Sequence, residues 1–343
     1  MFAAWLQRQW FAPQRRLTPA LWLLWPLLTP FHLIFTALSG WRRLAYQRGW
    51  QRAERLPVPV VVVGNISVGG TGKTPLTLWL ARGLSQAGRR PGIVCRGYGG
   101  SAREAQPAKA ESLAAEVGDE PLLLALRSGV PVWIGRDRPA AARALLAAHP
   151  DVDLILCDDG LQHYRLARDV EIAVMDGRGT GNGWRLPLGP LREPAYRLRH
   201  CQALVLNGGG PTPAGLPALP CFSMHLRAAP FQRLDQPGLN CSADALRGRP
   251  LFALAGIGDP QRFFRTLAAL GLEFTPRPFP DHHAYTAEDL AFAHGGVLLM
   301  TEKDGVKCRG LFPGEAWVLP VEAELPAELL TTLLENLRGH TAS

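Results

Sequence analysis

The sequence predicts an α/β protein: a mostly parallel sheet with helices on both faces, a second, smaller α/β domain, and an apolar helix at the N-terminus. Three observations predict it. Short apolar runs alternate with helix-like segments along most of the chain, as strands do when their parallel neighbours are reached through helical crossovers. A Gly-rich loop, Ser67-Val68-Gly69-Gly70-Thr71-Gly72-Lys73-Thr74, stands between the apolar run 58–63 and the amphipathic stretch 76–84. The chain has 343 residues, beyond the usual size of one domain.

The N-terminal element comes first in the chain. Residues 17–41 carry no charge and Arg16 and Arg42 bracket them; a helix of that length reaches roughly 37 Å, enough to cross a bilayer. Trp22, Trp25, Phe31, Phe35 and Trp41 supply interfacial anchors. Pro19, Pro26 and Pro30 are expected to interrupt the helix. Arginines at both ends (Arg8, Arg15 and Arg16, then Arg42, Arg43 and Arg48) choose no orientation, and no cleavage site is evident. The expectation is a peripheral or monotopic segment in the headgroup region, its arginines on anionic lipid, in preference to a span or a helix docked on the protein.

The Gly-rich loop has the setting of a phosphate-binding P-loop: strand, glycines that turn backbone N–H groups inward, then a helix whose N-terminus favours anions. Lys73 is placed to reach the β- and γ-phosphates and Thr74 to ligate Mg²⁺. Pro75 suits the first helical turn. Ser67 stands where the common pattern has Gly. Candidate strands follow at 92–95, 130–134, 152–157, 171–175 and 203–206, with a helix at 137–149 begun by Asp137 and Pro139. The Pro- and Gly-rich stretch 211–220 breaks the pattern. Beyond it lie a strand at 251–255, a helix at 260–270, and strands at 297–301 and 317–321. The expected organisation is a membrane-associating segment (1–55), a P-loop domain of NTPase type (56–220) and a smaller α/β domain (221–343).

Composition narrows the partners. A net charge of +8 favours anionic ligands. Aromatic and basic residues are sparsely interleaved beyond the N-terminus, so no nucleic acid is expected. The six cysteines form no CxxC pair; they read as buried, reduced thiols of a cytosolic compartment rather than a zinc site or disulfide frame. Of 37 basic residues only Lys73, Lys109, Lys303 and Lys307 are lysine, which singles them out as places where a compact ammonium is needed.

Several constellations can carry chemistry. The strand 152–157 runs into Asp158-Asp159-Gly160-Leu161-Gln162-His163; an acid at the carboxyl end of such a strand holds Mg²⁺, directly or through water, in P-loop sites. Gly118-Asp119-Glu120-Pro121 reads either as a plain helix start or as one presenting Asp119 as general base. Pro280-Asp281-His282-His283 is either a solvated loop or the source of a histidine partner for a carboxylate. Arg96-Gly97-Tyr98-Gly99-Gly100 leaves a strand at the ligand edge, and Leu188-Gly189-Pro190-Leu191-Arg192-Glu193-Pro194 is a rigid loop presenting Arg192; each reads as a structural turn or as a substrate contact. Thr301-Glu302-Lys303-Asp304 with Lys307 closes a strand and is placed to reach nucleotide.

Gly64 to Pro75, Arg96-Gly97-Tyr98-Gly99, Gly118-Asp119-Glu120-Pro121, Asp158 to His163, Gly189-Pro190-Leu191-Arg192-Glu193, Asp281-His282 and Thr301-Glu302-Lys303-Asp304 occur in this one order. Over essentially the whole chain that set closely resembles the tetraacyldisaccharide 4′-kinases, the lipid A 4′-kinases of Gram-negative bacteria. The resemblance implies ATP- and Mg²⁺-dependent phosphorylation of the 4′-hydroxyl of a lipid A disaccharide 1-phosphate, at the cytoplasmic face of the inner membrane. No obligate protein partner is expected. It implies a catalytic carboxylate at Asp119 partnered by His282, a P-loop of residues 67–74 with Lys73 and Thr74, and metal-side acids at Asp158 and Asp159. Arg96, Tyr98, Gln162, His163, Arg192 and Glu193 are the expected substrate contacts. Leu161 stands where that family often has Phe. The competing reading is a P-loop GTPase or ATPase of the membrane-targeting or metallochaperone type. Against it, Val68 occupies the place of the signature lysine, and Asn207-Gly208-Gly209 lacks the Lys and Asp of a guanine-reading loop.

Overall fold

The structure, a computed structural model, describes residues 2–12, 18–213, 215–236 and 238–338. Arg15, Arg16 and Leu17 of the expected N-terminal segment lie outside these residues. The chain opens with α1 (Phe2–Trp10) and α2 (Pro19–Gln47). There follow β1 (Val60–Gly64), α3 (Lys73–Gln86), β2 (Pro91–Cys95), β3 (Gln106–Ala108), α4 (Ala114–Val117), α5 (Asp119–Arg127), β4 (Val132–Ile134), α6 (Arg138–Ala148), β5 (Leu154–Asp158), β6 (Val170–Asp176), β7 (Ala203–Asn207) and β8 (Cys221–Ala228). The rest comprises β9 (Phe231–Arg233), β10 (Asn240–Cys241), β11 (Leu251–Ala255), α7 (Pro260–Ala269), β12 (Thr275–Pro278), α8 (Ala287–Leu290), β13 (Val297–Thr301), α9 (Glu302–Cys308), β14 (Ala316–Leu319), β15 (Val321–Glu324) and α10 (Glu328–Arg338).

A nine-stranded sheet runs in the order β15-β8-β7-β6-β1-β5-β2-β4-β3. Its seven inner strands are parallel, and β3 and β15 are antiparallel to their neighbours. Val60–Gly64 is buried throughout, as an all-apolar central strand must be when helices cover both faces. Leu76, Leu80 and Leu84 of α3, Leu122 and Leu124 of α5, and Leu329, Leu333 and Leu337 of α10 fill one side. Ala141, Ala142 and Leu145 of α6 fill the other. The predicted α/β class with helices on both faces is therefore the observed one.

The six-stranded sheet, β10-β9-β14-β13-β11-β12, is parallel at β14, β13, β11 and β12. It lies wholly within residues 231–319. The expected divide near residue 220 falls one strand earlier than the point where the chain leaves the first sheet. The expected strand 317–321 is in fact cut at Pro320: β14 ends in the small sheet and β15 begins in the large one, antiparallel to β8. The second body is thus an insertion between two neighbouring strands of the first.

The N-terminal helix departs from expectation. Pro19 occupies its first turn behind the cap Thr18, whose hydroxyl accepts from Leu21 N, but Pro26 and Pro30 lie inside a continuous 29-residue helix. Each proline removes one backbone donor, yet its fixed φ is close to helical, and spacing of four puts both on one face. Leu21 and Leu28 pack with Leu6, Trp10 and Leu188. Trp22, Leu23, Leu27, Phe31, Leu33, Ile34, Leu38 and Trp41 are exposed. All six cysteines are unpaired; four are buried as expected, but Cys221 is exposed.

Candidate functional site

The P-loop rises from the carboxyl end of β1 and is braced from three sides. Asn65 Nδ2 donates to Thr71 Oγ1 (3.2 Å) and Gly69 O (3.4 Å). Val68 N donates to Pro190 O (2.9 Å). Asn207, at the end of β7, donates to Thr71 O (2.9 Å). Gly72 then turns into α3 with φ +98°, and a Cβ there would stand 2.5 Å from Asn207 Nδ2, so only glycine fits. Lys73 and Thr74 follow in the first helical turn, where the backbone N–H groups of the new helix point at the cradle.

Beside the loop, β5 ends at Asp158. Its carboxylate is buried and accepts from the Thr77 hydroxyl (2.9 Å). Burial pushes its pKa up to about 7, helped by the nearby Glu120 and opposed by Lys73. Asp159 points back to Lys73 (3.7 Å) and Arg192 (3.2 Å). Burial would raise it, but these two cations hold it below the usual carboxylate range.

α5 starts with Asp119. Gly118 before it has φ +93°, and a Cβ would sit 2.5 Å from Tyr98 O; glycine there lets the helix start against the loop after β2. Asp119 is buried, its Oδ1 accepting from Glu120 N (2.9 Å) and its Oδ2 lying 3.0 Å from His282 Nδ1. Burial acts to raise its pKa, yet the His282 hydrogen bond, Lys303 and Lys307 win and keep it low. His282 comes from the loop after β12, in the inserted body, so the pair joins the two bodies. Among the described residues, Asp159 (φ 48°) and His282 (φ 58°) are the non-glycine residues in the left-handed region. Backbone held there costs on the order of 1–3 kcal/mol and gathers at functional sites.

This arrangement has known counterparts. The chain matches the family described as tetraacyldisaccharide-1-P 4′-kinase over residues 24–338. It belongs to that family. It is 60% identical over 341 residues to a tetraacyldisaccharide 4′-kinase of Dechloromonas aromatica, covering 99% of each chain. It is 51% identical to the Azoarcus enzyme of that name, over 91% of this chain and 92% of the other. Among solved structures it resembles the "apo" form LpxK from Aquifex aeolicus in complex with ATP, with TM-score 0.78 and 29% identity over 92% of this chain and 99% of that one.

The remaining expected residues of this 4′-kinase family member divide in two. Arg96 and Tyr98 are exposed, the Tyr98 ring meeting His282 edge-on at 5.1 Å. Arg192 faces Asp159 and Gln162. Gln162 and Glu193 are committed inward: Gln162 Nε2 donates to Asn65 O (2.9 Å) and Glu193 Oε2 (3.0 Å), and the Tyr164 hydroxyl donates to Glu193 Oε1. The two brace the base of the P-loop. Burial, with Arg138, Arg42 and Arg168 around it, pushes His163 down to about 3, leaving a neutral ring. From Thr301-Glu302-Lys303-Asp304, Lys303 turns to Asp119, Glu120, Asp281 and His282.

Two residues at the site escaped the sequence reading. Arg178, gripped by Asp176, donates to Gly70 O (3.3 Å) and lies 4.7 Å over the Phe11 ring, tying α1 to the P-loop. Arg262 of α7 reaches Asn207 Oδ1 (3.4 Å) from the inserted body. The signal for Arg178 was present: Asp176 ends a strand at the same sheet edge as Asp158.

Proposed function

We propose that the protein transfers the γ-phosphoryl group of ATP to the 4′-hydroxyl of a tetraacyldisaccharide 1-phosphate in lipid A biosynthesis, working at the cytoplasmic face of the inner membrane. The observation that carries this reading is Asp119 paired to His282 at 3.0 Å in a chain that also holds a braced P-loop. A phosphate cradle alone serves any nucleotide hydrolase; a buried, ionised carboxylate opposite it serves an alcohol acceptor.

In the proposed step the substrate hydroxyl gives its proton to Asp119 as its oxygen bonds to Pγ. The bond from Pγ to the β-phosphate oxygen breaks, and ADP leaves. Lys73 neutralises charge on the transferring group. Among the described residues no three His, Cys, Asp or Glu side chains form a metal cluster. That fits Mg²⁺, which takes one or two protein carboxylates and completes its shell with phosphates and water. Asp158, buried with the Thr77 hydroxyl as donor, and the half-buried Thr74 fit such an ion, with Asp159 beside them. Bound there, it would offset charge on the β- and γ-phosphates. Because Asp119 and His282 come from separate bodies, their 3.0 Å contact depends on the two bodies being together, the arrangement that would keep water from the phosphate. Arg96, Tyr98, Arg192 and the neutral His163 ring are the proposed surroundings of the acceptor, with Gln162 and Glu193 holding the loop in register.

The exposed aromatic and aliphatic face of α2, with exposed Arg42 and Arg48 toward its C-terminal end and exposed Arg8 on α1, suits the headgroup region of an anionic bilayer. One face already packs on the protein, which favours a helix lying at the interface over a span. Deleting residues 1–41 should release the protein from anionic vesicles in a flotation assay, or leave it insoluble because Leu188 and Trp184 lose their cover. Unchanged flotation and activity would overturn the anchoring role.

A direct test offers the purified protein ATP or GTP, with and without a lipid disaccharide 1-phosphate. ATP-dependent labelling of the acceptor is expected. Acceptor-independent GTP hydrolysis would instead favour the membrane-targeting GTPase class.

A further inference from the structure

Lys303 is one of four lysines in a chain that otherwise uses arginine, and its ammonium stands inside the acid–base site. Lys303 Nζ lies 3.2 Å from Glu120 Oε1, 3.3 Å from Asp281 Oδ1, 3.4 Å from His282 Nε2 and 3.9 Å from Asp119 Oδ2. Its side chain is 18% exposed. Lysine has three donors and no lone pair. The ring nitrogen facing it is therefore an acceptor, and the proton of a neutral His282 sits on Nδ1, where it is donated to Asp119 Oδ2.

We infer that Lys303 is a positioning residue for the proposed phosphoryl transfer: it donates to His282 Nε2, occupying that nitrogen's lone pair and opposing a second proton on the ring while Nδ1 donates to Asp119. This rests on the reading of Asp119 and His282 as the acid–base pair. The groups facing the pair are Asp119 and Glu120 from α5, Asp281 from the His282 loop, Tyr98 from the loop after β2, and Lys303, Asp304 and Lys307 from α9. Lys307 Nζ lies 3.9 Å from Asp119 Oδ2 and 3.1 Å from Asp304 Oδ1. The hydrogen bond to Asp119, with the Asp119 and Asp281 charges, raises the proton affinity of His282 above its ordinary value, and burial and Lys303 limit that rise. A second proton on the ring would point an N–H at an ammonium 3.4 Å away. Such a ring could no longer support a base that must collect a proton. An arginine fork could not converge on these four partners as a single ammonium does.

Lys303→Met tests the inference. With one like charge removed from beside the ring, His282 should take its second proton at higher pH. The acid limb of the kcat profile should then move up by about one pH unit, with little change in the KM for ATP. The same shift should appear without turnover, in the ¹⁵N resonances of labelled histidine, the His282 signals being identified by their loss in His282→Ala. Glu120→Gln cuts the tie from Lys303 to α5 but removes a negative charge, so its acid limb should stay or move down. A Lys303→Met protein whose ring titrates as in the wild type would overturn the inference, as would the two variants shifting alike; Lys303 would then merely join the two bodies. Should Lys303→Met fail to fold, Lys303→Arg serves: its ring should titrate between the wild type and a wholly uncharged neighbour, and a wild-type titration with the tie lost would overturn the inference. Failure of the underlying reading is distinguishable, because it would show as an active Asp119→Asn protein while the ring titration is read without activity.

Discussion

Asp119→Asn is expected to lower kcat by about 10²–10⁴-fold, the usual worth of a positioned general base, with little change in the KM for ATP. The amide keeps the shape and still accepts a hydrogen bond from His282, but it cannot take a proton from the acceptor hydroxyl. That hydroxyl is a poor acid at neutral pH, and in a loose transition state its proton leaves late. His282→Ala should also lower kcat. The double variant should be scarcely worse than Asp119→Asn, since residues acting as a unit lose their joint effect once. Steady-state kinetics on the four proteins decides it: losses that multiply would mean the two act independently. A fully active Asp119→Asn would move the base elsewhere, with Asp158 or Asp159 next.

Lys73→Ala should cut kcat by on the order of 10²–10³-fold, as removal of one preorganised charge at a developing anion does. The fold should survive. Lys73 meets Asp159 at 3.7 Å in a partly open site, and Arg192 remains 3.2 Å from the same carboxylate. Thermal unfolding would check this, with a melting temperature close to the wild type expected beside the lost turnover. Near-normal turnover would remove the P-loop from the mechanism.

The parts of this molecule that were legible in its sequence are those written locally. Residues 67–74 carry a phosphate cradle in contiguous order, and the four valines that open β1 before them read as a buried strand. The Asp119–His282 pair is different: 163 positions separate the two, and each segment read alone is as good a turn as a site. Only the ordered set of motifs suggested their partnership. The place of Lys303 beside Asp119 and His282 is not written in its segment, because position after a strand says where a residue starts, not where a four-carbon side chain ends. β8 and β15 went unseen because exposed and half-buried residues dominate both, so neither shows the apolar run that announces a strand. Pro26 and Pro30 read as helix breaks because propensity counts the lost donors and ignores the packing of Leu21 and Leu28 that holds the helix in place.

The pairing of β8 with β15 has a mechanical consequence. Both covalent crossings between the two bodies pass through these adjacent antiparallel strands, about 5 Å apart, one leading out and one leading back. Two such tethers side by side behave like the knuckles of a door. They resist twisting and sliding and leave one cheap freedom, a swing about a line across the ribbon. Such a swing would carry His282 and Lys303 along a single arc, so whatever brought one to Asp119 would bring the other in the same stroke. Arg127, bound to Glu302 of the inserted body and to Glu322 on the ribbon itself, is where such a door would latch.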